Sequence, residues 1–178
     1  MTFEDHYTKG HIAFAPGKRV DASAFTAYGK DGKPVSIASL KGKIVVVGFW
    51  SYHCEPSARM VMEMAQLFPR REKFGFEILA VNYDASRMSD GSEATGGWAA
   101  VRSFELSNRD FFKDNPFPFF IPGTGKEGAI NFINQVESLP LLAVVDRDGK
   151  LASLDSGYQD KEVGMRVSQL MKEEQAAN

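Results

Sequence analysis

Apolar residues fall into two kinds of run along this chain. Lys43 to Trp50, KIVVVGFW, is a β-branched stretch without polar alternation, the pattern of a strand covered on both faces. Phe76 to Asp84, FEILAVNYD, is a second such strand. Between them Ala58, Val61, Met62, Ala65 and Phe68 recur at helical spacing, which predicts a helix from Glu55 to about Lys73. Pro69 should kink it or end it early, and Gly75 should stop it. Strand, helix and strand then form a βαβ unit with a right-handed crossover.

The flanking segments are read the same way. SAFTAYGKDGKPVSIASL predicts two short strands around Asp31-Gly32, a pair that tolerates the positive φ of a tight hairpin. RMSDGSEATGG is a polar, glycine-rich stretch, expected to be a flexible inserted loop over about 85–97, and Trp98 to about Lys113 is expected to be a helix. LPLLAVVDRDGKLASL predicts a hairpin turning at Asp148-Gly149, and DKEVGMRVSQLMKEE a terminal amphipathic helix. The phenylalanines of RDFFKDNPFPFF are expected in the core; a partner groove is the alternative if Phe117, Phe119 or Phe120 is exposed near Pro140. With no repeat and no linker, residues 1–178 are expected to form one α/β domain, with about 1–20 as an N-terminal arm.

Composition narrows the function. A formal charge of -2 and the lack of any Lys/Arg cluster with interleaved aromatics argue against nucleic acid as a partner. No apolar run reaches the length of a membrane span, so no stable membrane insertion is expected. The start, MTFEDHYTKG, lacks a basic then apolar leader pattern. The protein is therefore expected to be cytoplasmic, or extracytoplasmic after leader removal. Oligomeric state is not encoded in any motif.

The chemistry lies where the first buried strand meets the long helix. Cys54, the only cysteine, sits at the predicted helix N-terminus, where unsatisfied N–H groups and the helix dipole favour a thiolate. Cysteines so placed titrate at roughly 3.5 to 7.5. The bland alternative is a small buried apolar residue. Pro56 in the first turn suits a helix start.

FWSYHCEPSARM resembles the FWxxWCxPC signature of the thioredoxin superfamily, most closely its TlpA-like branch of thiol-disulfide oxidoreductases. DGKPVSIASLKGKIVVVGFW upstream, GFEILAVNYD downstream and VESLPLLAVVDRDGKL near the end extend the resemblance over nearly the whole chain. It implies a thioredoxin-like fold: a central mixed β-sheet flanked by helices, an N-terminal β-hairpin extension and a cis-proline loop. It also implies Cys54 as nucleophile, Ser57 and Pro140 beside it, and substrate contacts from Trp50, His53, Glu55, Pro56 and Leu139. The branch is extracytoplasmic, and needs no cofactor and no metal.

Departures from the pattern matter equally. Ser57 stands where the family has its resolving cysteine, and His53 replaces the usual tryptophan. Gly48 and Met60 stand where relatives carry the carboxylates that move protons for the second thiol. A single thiol can form a mixed disulfide but needs an outside thiol to release it. A disulfide-bearing protein or glutathione is the expected partner, and Ser57 is expected to donate a hydrogen bond to Cys54. Three readings stay open: a monothiol oxidoreductase or isomerase, a binding or chaperone-like module that has lost turnover, and a dithiol reductase whose second cysteine was changed to serine.

Weaker signals stand beside these. Ser51, three residues before Cys54, matches the hydroxyl with which peroxiredoxins hold peroxide, but Val47 stands where they need a proline. PGTGKEG departs from a phosphate loop and is better read as a loop entering a helix around Ala129 to Phe132. DRDG is explained by a hairpin turn without calcium, and only His53 and Cys54 come close together as metal donors.

Overall fold

The computed structural model describes residues 10–84, 93–123 and 139–178. PGTGKEG beyond Gly123, the helix around Ala129 to Phe132, most of the 85–97 loop and the first nine residues of the arm lie outside them.

The strands are β1 (Gly10–Ala13), β2 (Thr26–Gly29), β3 (Pro34–Ser36), β4 (Ile44–Trp50), β5 (Phe76–Asn82), β6 (Phe119–Pro122), β7 (Leu141–Val145) and β8 (Leu151–Ser156). The helices are α1 (Glu55–Leu67), α2 (Arg71–Phe74), α3 (Glu93–Ser107), α4 (Arg109–Asp114) and α5 (Glu162–Ala177). Among the described residues the eight strands form one mixed sheet in the order β1-β8-β7-β4-β5-β6-β2-β3. β4, β5 and β6 run parallel and β7 runs antiparallel to β4. The β4-α1-β5 unit read from the sequence is at its centre.

Every residue of β4 is buried, as a run without alternation requires. Ile44, Val46 and Trp50 pack on one face with Met60, Val61 and Met64 of α1, Val101 and Phe104 of α3, and Val163, Val167 and Leu170 of α5. Val45, Val47 and Phe49 point the other way, against Phe25, Ile37, Leu79 and Leu141. Among the described residues α1, α3 and α5 therefore share one face, and the segment around the β2-β3 hairpin packs on the second.

Pro69 does end the first helix: α1 stops at Leu67, a 3-10 turn spans Phe68–Arg70, and α2 closes at Gly75 in the left-handed region (φ 71°). The hairpins turn where predicted, with Gly32 at φ 76° and Gly149 at φ 80°. Asp146 Oδ1 accepts the N–H groups of Asp148 and Lys150 at 3.0 Å each, which is what the acidic DRDG turn is for.

Three elements differ from expectation. The 10–13 part of the N-terminal arm is β1, paired antiparallel with β8 at the sheet edge. Phe119–Pro122, read only as aromatic core, is β6, joining the β2-β3 hairpin to the sheet. The helix expected from Trp98 to Lys113 starts at Glu93 and breaks at Asn108, whose side-chain amide donates to the Phe104 carbonyl at 2.9 Å and terminates α3. Phe119 is buried, and Phe112, Phe117 and Phe120 are half-buried and pack against the two cores.

Candidate active site

Register brings the site together. β4 ends at Trp50 opposite Asn82 of β5, and β7 begins at Leu141 opposite Phe49. Residues 51–54, 82–84 and 139–140 therefore leave the sheet at one end. Cys54 is the N-cap of α1, with extended backbone (φ −117°, ψ 112°), and is half-buried. Its thiol donates to the Leu139 carbonyl at 3.5 Å, and the Leu139-Pro140 bond is cis. The sulfur thus faces the proline loop, as the sequence implied, across 85 residues of chain.

Ser57 differs from expectation in its partner. It is wholly buried, and its hydroxyl oxygen accepts the Ser51 N–H at 3.3 Å; the hydrogen bond expected with Cys54 is replaced by this one. The cause is local: Ser57 lies within the first turn of α1, where its hydroxyl meets the backbone at the end of β4.

Behind Ser57 the interior is apolar. Met60 and Met64 are fully buried, and their side chains fill the space above Gly48. A Cβ on Gly48 would come within 2.8 Å of Met64 Sδ and 2.9 Å of Met60 Cε. The two missing carboxylates are therefore replaced by a packed pair of thioethers that need a glycine opposite them.

In front of Ser57 the loop is held by polar side chains that sequence reasoning did not find. Asp84 Oδ1 accepts the Ser51 hydroxyl at 2.6 Å. Its Oδ2 accepts the Tyr52 N–H and the Asn82 side-chain amide, each at 2.9 Å. Asn82 is fully buried, and its Oδ1 accepts the Asp84 N–H at 3.0 Å. Ser51, whose match to a peroxide-binding hydroxyl is already countered by Val47, is buried and donates its hydroxyl to Asp84. The only hint in the sequence was a buried apolar run ending in N-Y-D beside the strand that carries the cysteine.

Of the remaining expected contacts, Trp50 needs correction. It is fully buried against Phe104 and Phe119, at ring centroid distances of 4.8 and 5.5 Å. A terminal strand position on the helix-covered face puts it in the core, so it offers a substrate nothing. His53 is exposed with its ring edge-on to Tyr52 at 5.0 Å, and Glu55 is exposed and paired with Arg59 at 3.1 Å. Pro56 is half-buried in the first turn. Leu139 and Pro140 are buried, so Leu139 presents its carbonyl while its side chain stays in the core.

A second carboxylate braces α1 farther along. Glu63 Oε1 accepts the Tyr158 hydroxyl at 2.7 Å and the Val163 N–H at 3.0 Å, and Oε2 accepts the Gly164 N–H at 2.9 Å. It caps α5, whose own N-cap, Lys161, makes no side-chain cap bond. Burial, then the Glu63 hydrogen bond, pushes the Tyr158 phenol well above its ordinary value. Among the described residues no group of three or more His, Cys, Asp or Glu is placed to hold a metal, and no helix is long and apolar enough to cross a membrane.

Comparison with known proteins finds a family and a shared fold. A family model described as the AhpC/TSA family matches residues 19–154. The thiol-disulfide oxidoreductase ResA of Bacillus anthracis is 30% identical over 142 residues, covering 80% of this chain and 71% of that protein. A ResA of Bacillus cereus is 29% identical over 145 residues with the same coverages. Among solved structures, a thiol:disulfide interchange protein of the thioredoxin family from Chlorobium tepidum TLS superposes with a TM-score of 0.62 at 21% identity, covering 88% of this chain and 98% of that one. A DsbF homologue from Corynebacterium diphtheriae gives 0.61 at 19% identity, covering 89% and 91%. These two structures share the fold with this chain.

Proposed function

The chain belongs to the AhpC/TSA family and, within it, with the ResA thiol-disulfide oxidoreductases, and from that premise we propose that it exchanges disulfides with one sulfur. The observation that carries this reading is Ser57: it stands in the second thiol's place of the resembled motif and is wholly buried, on the same helix whose Met60 and Met64 pack over Gly48. A natural monothiol site accounts for serine, glycine and methionine together. A laboratory substitution of one cysteine accounts only for the first.

The Cys54 thiolate attacks one sulfur of a substrate disulfide; a Cys54–substrate disulfide forms and the other substrate sulfur leaves as a thiolate that takes its proton from solvent. A second thiol then attacks the substrate sulfur and returns Cys54. When that thiol belongs to the same client, the result is isomerisation without net redox change. When it is glutathione, the client leaves as a glutathione mixed disulfide. The Leu139 carbonyl and Pro140 flank the reacting sulfur, while His53, Glu55 and Pro56 form the rim a substrate meets. That Cys54 is only partly buried favours this over a silent binding module. The whole chain acts as one thioredoxin-like domain, supported by the single sheet that runs from Gly10 to Ser156. Its clients are disulfide-bearing proteins or glutathione, and its setting is extracytoplasmic, as the TlpA-like resemblance implies.

The test is intact-mass spectrometry of reduced protein treated with excess glutathione disulfide and then freed of the released glutathione, so that no second thiol is in reach. One adduct should form on Cys54 and persist until free thiol is added, and Cys54→Ala should give none. An adduct that disappears without added thiol, or none from the wild type, would reject the monothiol reading.

A further inference from the structure

We propose that Asp84 is a positioning residue for the exchange: its carboxylate fixes the Ser51-Tyr52 corner and through it the place of Cys54 Sγ against the Leu139 carbonyl. This rests on the monothiol reading above and adds to it the group that aims the sulfur.

Ser51 is the hub of the connection. Its hydroxyl donates to Asp84 at 2.6 Å, its N–H to Ser57 Oγ at 3.3 Å, and its carbonyl accepts the Cys54 N–H at 3.3 Å. The last two bonds are long, and residues 51–54 belong to no strand or helix, so the short bonds to Asp84 are the firm ones. Asp84 is itself held by Asn82, which is fully buried at the end of a central strand. A chain of hydrogen bonds thus runs from the rigid sheet through Asp84 to the residue whose carbonyl holds the Cys54 amide. Displacement at disulfide sulfur needs the attacking sulfur, the central sulfur and the leaving sulfur roughly in line. A misplacement of about 1 Å can lower such a rate by about a hundred-fold. The family's carboxylates near the site serve proton traffic at the second thiol; Asp84 lies on the other side and makes only bonds that hold backbone and side chain in place.

The experiment compares wild type, Asp84→Ala, Asp84→Asn and Ser51→Ala in two reactions of Cys54, with a peptide disulfide, which needs alignment beside Leu139, and with iodoacetamide, which does not. Asp84→Ala should slow the disulfide reaction about ten-fold or more and the alkylation by no more than about a third as much. Asp84→Asn should recover most of the rate, since its oxygen can accept from Tyr52 and Asn82 while its amide donates to the Ser51 hydroxyl. Ser51→Ala should fall between. Equal slowing in both reactions, wild-type disulfide rates in Asp84→Ala, or Asp84→Asn behaving as Asp84→Ala would each overturn the proposal. Amide hydrogen exchange gives a reading independent of turnover. Protection at Tyr52 and Cys54 should drop in Asp84→Ala and Ser51→Ala at unchanged melting temperature, and hold in Asp84→Asn. If the wild type forms no adduct, the monothiol reading fails, and exchange still decides whether Asp84 fixes the corner: unchanged protection at both amides in Asp84→Ala rejects it.

Discussion

The two sides of Ser57 are built on opposite principles. Toward the sheet, Gly48, Met60 and Met64 form a packed apolar chamber with no group that can take a proton. Toward the strand end, Ser51, Asn82 and Asp84 form a hydrogen-bonded bracket in which each polar side chain has a partner. Only the second matters to a one-sulfur mechanism. A resolving thiol must be deprotonated in place, and a carboxylate beside it serves that end. When the resolving thiol comes from outside, it arrives with solvent to take its proton, and an interior carboxylate would only add a buried charge. On the proposed one-sulfur reading, the difference separates the part that positions Cys54 from the part where a second thiol would need a proton path.

The largest effect should come from forcing a carboxylate back into the chamber. Gly48→Asp places atoms where Met60 and Met64 already sit and buries a charge without a partner. It should destabilise the protein by about 3 kcal/mol or more in urea denaturation, with partial recovery in Gly48→Asp/Met64→Ala. A Gly48→Asp protein of wild-type stability would mean that the chamber is not filled as described.

Glu63, the bracing carboxylate farther along α1, should come next. Glu63→Ala strands two α5 N–H groups and the Tyr158 hydroxyl, a loss of about 1–2 kcal/mol. The measurement is again the urea midpoint, with Glu63→Gln retaining part of the cap; equal midpoints in Glu63→Ala and wild type would show that α5 needs no cap from α1.

The chamber can also be tested chemically with Ser57→Cys. A buried thiol with no base beside it has its titration pushed up. Release of a glutathione adduct from Cys54 in this variant should therefore rise about ten-fold per pH unit up to and beyond the ordinary thiol value near 8.5. A plateau at lower pH would reveal a proton acceptor near position 57 and break the contrast between the two sides.

The smallest effect belongs to Tyr158. Its phenol is held above the ordinary value of 10.0 by burial and by Glu63, so the protonated form is the one the folded protein favours. Its contribution is complete below about pH 10 and is lost as pH rises above that, toward the folded value. Tyr158→Phe should lower stability by about 1 kcal/mol at pH 8 and lose less between pH 9 and 11 than the wild type does. Parallel losses in the two proteins would assign the alkaline decline to other groups.

Legibility in the sequence followed the range of the physics. β4, α1 and β5 could be read because burial on both faces removes alternation, and because helical contact repeats within a few residues. The hairpin turns could be read because Asp-Gly pairs meet a local demand for positive φ. β1 and β6 could not. Gly10–Ala13 is mostly exposed and Phe119–Pro122 carries a proline at its end, so each is a strand only because a neighbouring strand offers hydrogen bonds. Trp50 misled for a related reason: the aromatic pair beside a reactive cysteine looks like a substrate surface until α3 and β6 cover it.

By itself the sequence determined that one sulfur stands at the start of a helix behind a buried strand, and its resemblance to the TlpA-like branch implied that serine, glycine and methionine stand where that branch carries cysteine and carboxylates. Those are matters of identity and short spacing. The tertiary structure alone decided that Ser57 turns to Ser51 and that Asp84 holds the loop from 33 residues away. Periodicity acts over a turn or a strand, whereas a hydrogen bond between strand ends depends on the register of the whole sheet.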